Sequence, residues 1–357
     1  MMPCLTHNAS ASVRQPEITP VQALNRLVDL VTSYAISQTF AAAVKLGVFE
    51  DLANGPATPE EIAARVKIHP QGCRRLLSAL RHLGLVESED GRYCNSPIGH
   101  YCSSRASVNL GAIIGFTEPF YHMFEYLPDA LREYSPRWQQ ALGTSQADVF
   151  GALYEDPVRI RQFTAFMQSL SVPQGQVIAD HFDFAPYHCI LDVAGGPGGQ
   201  AIEIGRKHAH LQGIIMDMAP VCEIATENIA AAGLSSRFRA VPGDLFEGGF
   251  PEGADVVLLG HILHDWSDES CHKILQNAAD ALPSGGALLI SESVLAPDYS
   301  ASGFALMKDI AMLVVCESGA RERTEAEYRG LIDAHGFEFS QTLHLDAPRD
   351  LIVARKK

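Results

Sequence analysis

The reading of the chain turns on Ile190-Leu191-Asp192-Val193-Ala194-Gly195-Gly196-Pro197-Gly198-Gly199, followed by Gln200-Ala201-Ile202-Glu203-Ile204. A short apolar run, a cluster of glycines and a renewed apolar run predict a buried strand, a tight loop and the start of a helix. That order presents backbone N–H groups to a ligand at the carboxyl edge of an α/β sheet. Because the loop is nearly bare of side chains, a ligand can lie against the main chain itself. Alone, such glycines also serve simply to turn a strand into a helix, so the flanking segments decide.

Toward the C-terminus, residues 189–193, 212–217, 237–241, 254–260 and 286–292 read as strands with helices between them, and 337–343 with 351–354 as a closing hairpin. Repeated β-α units with short connections predict an α/β fold with a mostly parallel, doubly wound sheet. Ligand chemistry then collects at the carboxyl ends of the strands. Asp217 ends the second of these strands, where a carboxylate suits a ribose diol because both its oxygens accept. Asp244 and Leu245 follow the third strand, placed to receive an adenine amino group and to cover its ring. His264 lies between the fourth strand and a helix capped by Ser267, with Asp268 and Glu269 at that helix's positive end. Histidine is the natural base near neutral pH.

Toward the N-terminus, residues 20–47 repeat apolar positions at helical spacing on more than one face, from Leu24 to Leu46. Such a helix needs more than one packing partner, and a second copy of the chain is an economical one. Thr58-Pro59-Glu60-Glu61 carries a capping box with proline at the first helical position. A second short helix over 69–83 and a hairpin around Asp90-Gly91 complete the layout of a winged helix. That layout raises DNA binding as an alternative function. Glu87, Glu89 and Asp90 in the wing, and a formal charge of -15 from 27 basic and 42 acidic residues, argue against nucleic acid and anionic membranes as partners. Between the two ends, 110–184 is helical and rich in large apolar residues. Phe163, Met167 and Leu170 share one helix face, which suits either a core or a pocket for a flat apolar substrate.

At 357 residues, with 47% hydrophobic and 19% charged content, the chain has the composition of a globular protein of two ordinary domains. Its eight cysteines are scattered without a Cys-x-x-Cys pair, which predicts reduced thiols in the cytoplasm. Residues 1–19 read as a polar mobile tail, and no uninterrupted apolar run reaches the length needed to cross a bilayer.

Taken together, these residues resemble the S-adenosylmethionine-dependent O-methyltransferases typified by plant caffeic acid and flavonoid enzymes, with bacterial relatives in secondary metabolism. The resemblance runs from about residue 20 to the end. It rests on the loop Asp192 to Gly198, on Asp217, on Gly243 to Phe246, and above all on His264-Asp265-Trp266-Ser267-Asp268. It implies a mobile tail at 1–19, a winged-helix dimerisation domain at 20–108, a helical substrate region at 109–185 and a Rossmann-like cofactor domain at 186–357. It also implies a homodimer that takes S-adenosylmethionine and a small, phenolic acceptor, with S-adenosylhomocysteine as product.

By the same resemblance the cofactor contacts are Asp192, Ala194, Gly195, Gly196, Asp217, Asp244 and Leu245. The substrate is lined by Phe163, Met167 and Met312. His264 acts as general base between Glu292 and Glu322, and no metal is needed. N- or C-methylation on the same fold is the alternative outcome. Two positions depart from the family pattern. Ala194 replaces the first loop glycine, which leads one to expect a negative φ there or a narrowed approach. A family lysine near the adenine corresponds to Gly260.

Overall fold

A computed structural model of the chain describes residues 18–144, 149–154 and 156–357; most of the expected tail, residues 1–17, lies outside the described residues. The chain divides into two compact units at Gly99/His100. In the first, α1 (Pro20–Lys45) begins at Thr19, which forms a capping box with Gln22. Next come α2 (Val48–Leu52), α3 (Pro59–Val66) and α4 (Pro70–His82). Thr58 and Glu61 form the expected capping box, with Pro59 at the first position. The imidazole of His69 accepts from Gln71 N and caps α4. β1 (Val86–Glu89) and β2 (Arg92–Asn95) are an antiparallel wing. Its two-residue turn places Asp90 and Gly91 at φ 48° and 75°, the pairing that matches strand twist.

Only Ala41 and Ala43 of α1 are buried, while Val21, Leu24, Leu27, Leu30 and Val31 are each more than half exposed. This helix meets a looser test for membrane-length segments than the uninterrupted apolar run sought in the sequence. Its 26 residues include an 18-residue stretch of mean hydropathy 1.3, enough by length and composition to cross a bilayer. The sequence reading sought an uninterrupted apolar run, which Arg26 and Asp29 break; a mean over the stretch tolerates them.

After α5 (Pro97–His100), the second unit opens with a 3₁₀ turn at Leu110–Phe116 and short helices α6 (Thr117–Phe124), α7 (Leu127–Glu133), α8 (Trp138–Leu142) and α9 (Val149–Tyr154). Then α10 (Pro157–His181), capped by Asp156, runs for 25 residues through Pro173. β3 (Cys189–Val193), α11 (Gly199–Lys207), β4 (Gln212–Asp217), α12 (Ala219–Ala231), β5 (Phe238–Pro242), β6 (Val256–Gly260), α13 (Asp268–Ala281) and β7 (Ala287–Glu292) alternate as expected. β8 (Val294–Leu295), α14 (Gly303–Val315), β9 (Arg323–Thr324), α15 (Glu325–Asp333), β10 (Phe337–Leu343) and β11 (Asp350–Lys356) follow. The β8/β9 pair carried no sequence signal, because two residues hold no periodicity.

The seven-stranded sheet runs β10-β11-β7-β6-β3-β4-β5, parallel except for the β10/β11 hairpin on its β7 side. Strand order reverses at β3, from which the chain goes out to β4 and β5 and returns to β6 and β7. That is the switch point where open sheets hold ligands. The period-two alternation of each strand separates two cores. Leu191, Val193, Ile214, Val257, Leu259, Leu288 and Ile290 pack with α13 and α15 on one face. Ile190, Ile215, Val256, Leu258 and Leu289 pack on the other, against apolar residues of α10, α11 and α12. Gly175 of α10 lets α11 come close, since a Cβ there would lie 2.6 Å from Gln200 Cα. A third core gathers Met123, Trp138, Leu153 and Met312, joining α6, α8 and α9 to α14.

Candidate active site

Register brings the chemistry to one edge. Gly260 pairs with Ser291, and Asp350 pairs with Glu292, so the loop after β6, the end of β7 and the start of β11 are neighbours. His264 sits in the 3₁₀ turn Leu263–Asp265 after β6 and is 3% exposed. Glu292 Oε1 holds that turn by accepting from Ile262 N at 2.9 Å and His264 N at 3.4 Å. From the other side, fully buried Arg323 donates to the carbonyls of Leu263 and Trp266, each at 2.7 Å.

The imidazole lies among carboxylates. Nδ1 is 2.8 Å from Glu322 Oε1 and 3.6 Å from Glu292 Oε2, while Nε2 is 3.3 Å from Asp265 Oδ1. The sequence reading therefore named the three groups that the fold brings together. It missed their surroundings. Lys308 Nζ lies 3.0 Å from the same Glu322 Oε1 and 3.3 Å from His261 Nε2. Arg349 Nη2 lies 3.2 Å from His261 Nδ1. A neutral imidazole has one acceptor nitrogen, so His261 accepts from only one of these cations. Lys308 had one available signal, the adjacent charges Lys308 and Asp309 within the otherwise apolar α14; Arg349 had none.

Burial lowers the pKa of His264 to about 4, opposed by the charge of Glu292 and reinforced by Lys308 and Arg349. Near pH 7 its side chain is therefore neutral. Burial raises the pKa of Glu322, and the ammonium of Lys308 pulls it back. Burial also lowers Lys308, and brings Arg349 down to about 10. His264, Glu292 and Glu322 each offer an atom within 4.8 Å of the others, a donor set that also suits a divalent ion. Lys308 and Arg349 already bring two positive charges to these carboxylates, which opposes a further cation.

On the far side of β3, Asp217 is 7% exposed and accepts from Gly196 N at 2.8 Å and Met218 N at 2.7 Å. Burial raises it to about 6 against those two hydrogen bonds. Asp192 is likewise raised by burial to about 7, with a hydrogen bond from the Ala201 backbone opposing. Asp244 Oδ1 accepts from Phe246 N at 2.7 Å, so the residue shapes its own turn and keeps its second oxygen; Leu245 packs on the sheet core.

Ala194 corrects the expectation of a negative φ: its φ is 50°, followed by Gly195, and Gly196 at 58°. The loop keeps the left-handed turn that a glycine would take, and its alanine bears the strain. Phe163 and Met312 belong to the third core, and Met167 lies one turn beyond Phe163, half-buried. Phe163 meets Phe150 at 6.3 Å and Phe150 meets Trp266 at 6.0 Å, so rings lead from α10 to the histidine turn. Cys316 Sγ lies 3.8 Å from Met312 Sδ and donates to Asp265 Oδ1 at 3.2 Å.

Comparison with known proteins joins this geometry to a family. The model of the O-methyltransferase domain matches residues 124–338, and that of the O-methyltransferase dimerisation domain matches residues 28–105. The chain belongs to the O-methyltransferase family. This O-methyltransferase is 34% identical, over 90% of its length and 92% of the relative's, to a 3-hydroxy-5-methyl-1-naphthoate 3-O-methyltransferase of Streptomyces sahachiroi. It is 32% identical to an N,N-dimethyltransferase of Streptomyces rimosus, over 92% and 95% of the two chains. Its fold matches human N-acetylserotonin methyltransferase in complex with S-adenosylmethionine at a TM-score of 0.86 and 28% identity, over 97% and 99% of the chains.

The methyl donor of this O-methyltransferase is S-adenosylmethionine, and the chain's own residues fit it. A near-bare loop lies beside Asp217, a buried carboxylate that meets only backbone N–H donors among the described residues and has acceptor capacity left for hydroxyls. Once bound, the sulfonium supplies a methyl group already activated toward an oxygen nucleophile.

Proposed function

We propose that this O-methyltransferase methylates a hydroxyl of a small aromatic metabolite, with His264 as the general base. The observation that carries the reading is the 2.8 Å contact of His264 Nδ1 with Glu322. A carboxylate there favours the tautomer with the proton on Nδ1 and a lone pair on Nε2. A phenol has an ordinary pKa of about 10 and is mostly protonated at neutral pH, so a neutral imidazole is useful to it. As the hydroxyl proton moves to Nε2, Glu322 and Glu292 stabilise the imidazolium, as the carboxylate of a catalytic triad does. The rings of Phe163, Phe150 and Trp266 with Met312 support a flat apolar acceptor. The naphthoate specificity named for the Streptomyces sahachiroi relative agrees with this class. Asp192, Ala194, Gly195, Gly196, Asp217, Asp244 and Leu245 hold the donor in this reading.

The functional division is a dimerisation domain over 20–108, a substrate region over 109–185 and a cofactor domain over 186–357. The exposed apolar face of α1 and the match to a dimerisation domain support a homodimer. The seven cysteines among the described residues are free thiols, which supports a reducing cytoplasmic setting.

The test is methyl transfer from labelled S-adenosylmethionine to a panel of phenols, naphthols and aromatic amines. Labelled aryl ethers are expected; labelled amines alone would move the chain toward the chemistry named for its Streptomyces rimosus relative. His264→Ala should lose about 10²-fold or more in kcat while S-adenosylhomocysteine binding stays within about twofold. Turnover that survives the change removes His264 as base.

A further inference from the structure

The space beside Gly260 is filled by a side chain of α11. A Cβ on Gly260 would lie 2.5 Å from Gln200 Nε2 and 2.8 Å from Gln200 Oε1, so the carboxamide of Gln200 occupies the space beside that glycine. Gln200 is 5% exposed, and its Oε1 is buried with no hydrogen-bond partner. A buried acceptor left unmatched is costly unless a ligand supplies the donor. Two more unmatched oxygens stand nearby, both around Gly199. A Cβ there would lie 2.1 Å from Ser171 Oγ and 3.2 Å from Gln168 Oε1, and both atoms are buried without partners.

We propose that Gln200 is a cofactor-binding residue, its Oε1 accepting a hydrogen bond from the amino group of the methionyl tail. This rests on the reading of the glycine loop as the seat of S-adenosylmethionine. Sheet order selects the tail among the cofactor's donors. β4, which ends in Asp217, and β5, which leads to Asp244, lie on one side of β3; β6, which ends in Gly260, lies on the other. With the ribose at Asp217 and the adenine beyond it, the opposite end of the molecule reaches Gln200. The Oε1 atoms of Gln200 and Gln168 only accept, which suits an ammonium that only donates and not the tail's carboxylate; the hydroxyl of Ser171 can accept from the same ammonium. Gly260 is part of the device, because any side chain there displaces the carboxamide.

The test is calorimetric titration of the full-length protein with S-adenosylhomocysteine and with its analogue lacking the amino group. Gln200→Met should weaken S-adenosylhomocysteine on the order of tenfold and leave the deamino analogue unchanged, so that the preference between the two ligands collapses. Gly260→Ala, which keeps the glutamine but pushes it aside, should give the same selective loss and serves if Gln200→Met fails to fold. Equal weakening of both ligands, or no change in either, overturns the proposal. Asp217→Ala should weaken both ligands alike. If it changes neither, the seat itself is misread, a failure distinct from that of Gln200.

Discussion

His264 and Lys308 meet on one oxygen: Glu322 Oε1 is 2.8 Å from His264 Nδ1 and 3.0 Å from Lys308 Nζ. The ammonium weakens the hold of that carboxylate on an imidazolium and so helps keep His264 neutral. With its pKa lowered to about 4, His264 has its acidic limb near pH 4, and activity governed by this group is flat above about pH 5. Lys308→Met removes a positive charge, which favours the imidazolium and raises the pKa. The acidic limb of kcat/KM should move up by roughly one pH unit. A pH profile of the variant checks this; an unmoved limb means the charge of Lys308 does not reach the base.

Asp217 governs a second pH dependence, that of cofactor binding. Burial lifts its pKa to about 6, so below that value the free protein holds it protonated. A ligand whose hydroxyls donate to the carboxylate must then displace the proton. Affinity for S-adenosylhomocysteine should be level above about pH 7 and fall toward tenfold per unit below pH 6. Titrations at pH 5, 6 and 7.5 test it, and Asp217→Asn should bind weakly with that dependence removed.

Ala194 at φ 50° gives a stability prediction of definite sign. A left-handed conformation costs a residue with a Cβ about 1–2 kcal/mol, part of which glycine returns through its greater freedom when unfolded. Ala194→Gly should therefore stabilise the protein by ~0.5–1 kcal/mol, a rise of roughly 1 °C in Tm. Thermal unfolding of the two proteins decides; a fall in Tm would show that the alanine methyl contributes more by packing than the turn costs.

The exposed face of α1 predicts its own disruption. Leu24, Leu27 and Val31 stand 59%, 59% and 71% exposed in the single chain. If a second copy covers them, Leu27→Glu with Val31→Glu should halve the mass measured by light scattering, since two buried unpaired charges oppose association. An unchanged mass would place the dimer contact on another surface.

Local features were legible in the residues. Thr58-Pro59-Glu60-Glu61 reads as a capping box because its partners are three residues apart, and it is one. The strand before Asp192 and the turn signals of the wing are local in the same sense, as is Ser267, which accepts from Ser270 N. The histidine signature was legible as a motif. Its supports were not, because Arg323 reaches Leu263 across 60 positions of sequence. Gln200 gave no sign, since it stands on α11 and the space that it fills lies beside Gly260 at the end of β6.

By itself, the order of amino acids determined the α/β alternation, the glycine loop and the helix caps, and it singled out Asp217 and His264 by their places after strands; Glu292 and Glu322 came only with the family resemblance, since no short-range pattern marks them. Only the tertiary structure decided how those groups ionise and which neighbours share them. His264 meets Glu322 across 58 positions, and His261 meets Lys308 across 47 and Arg349 across 88. The antiparallel β11 brings Arg349 there by pairing Asp350 with Glu292. A side chain's charge state depends on burial and on charges within a few ångströms, and both are properties of the packed chain.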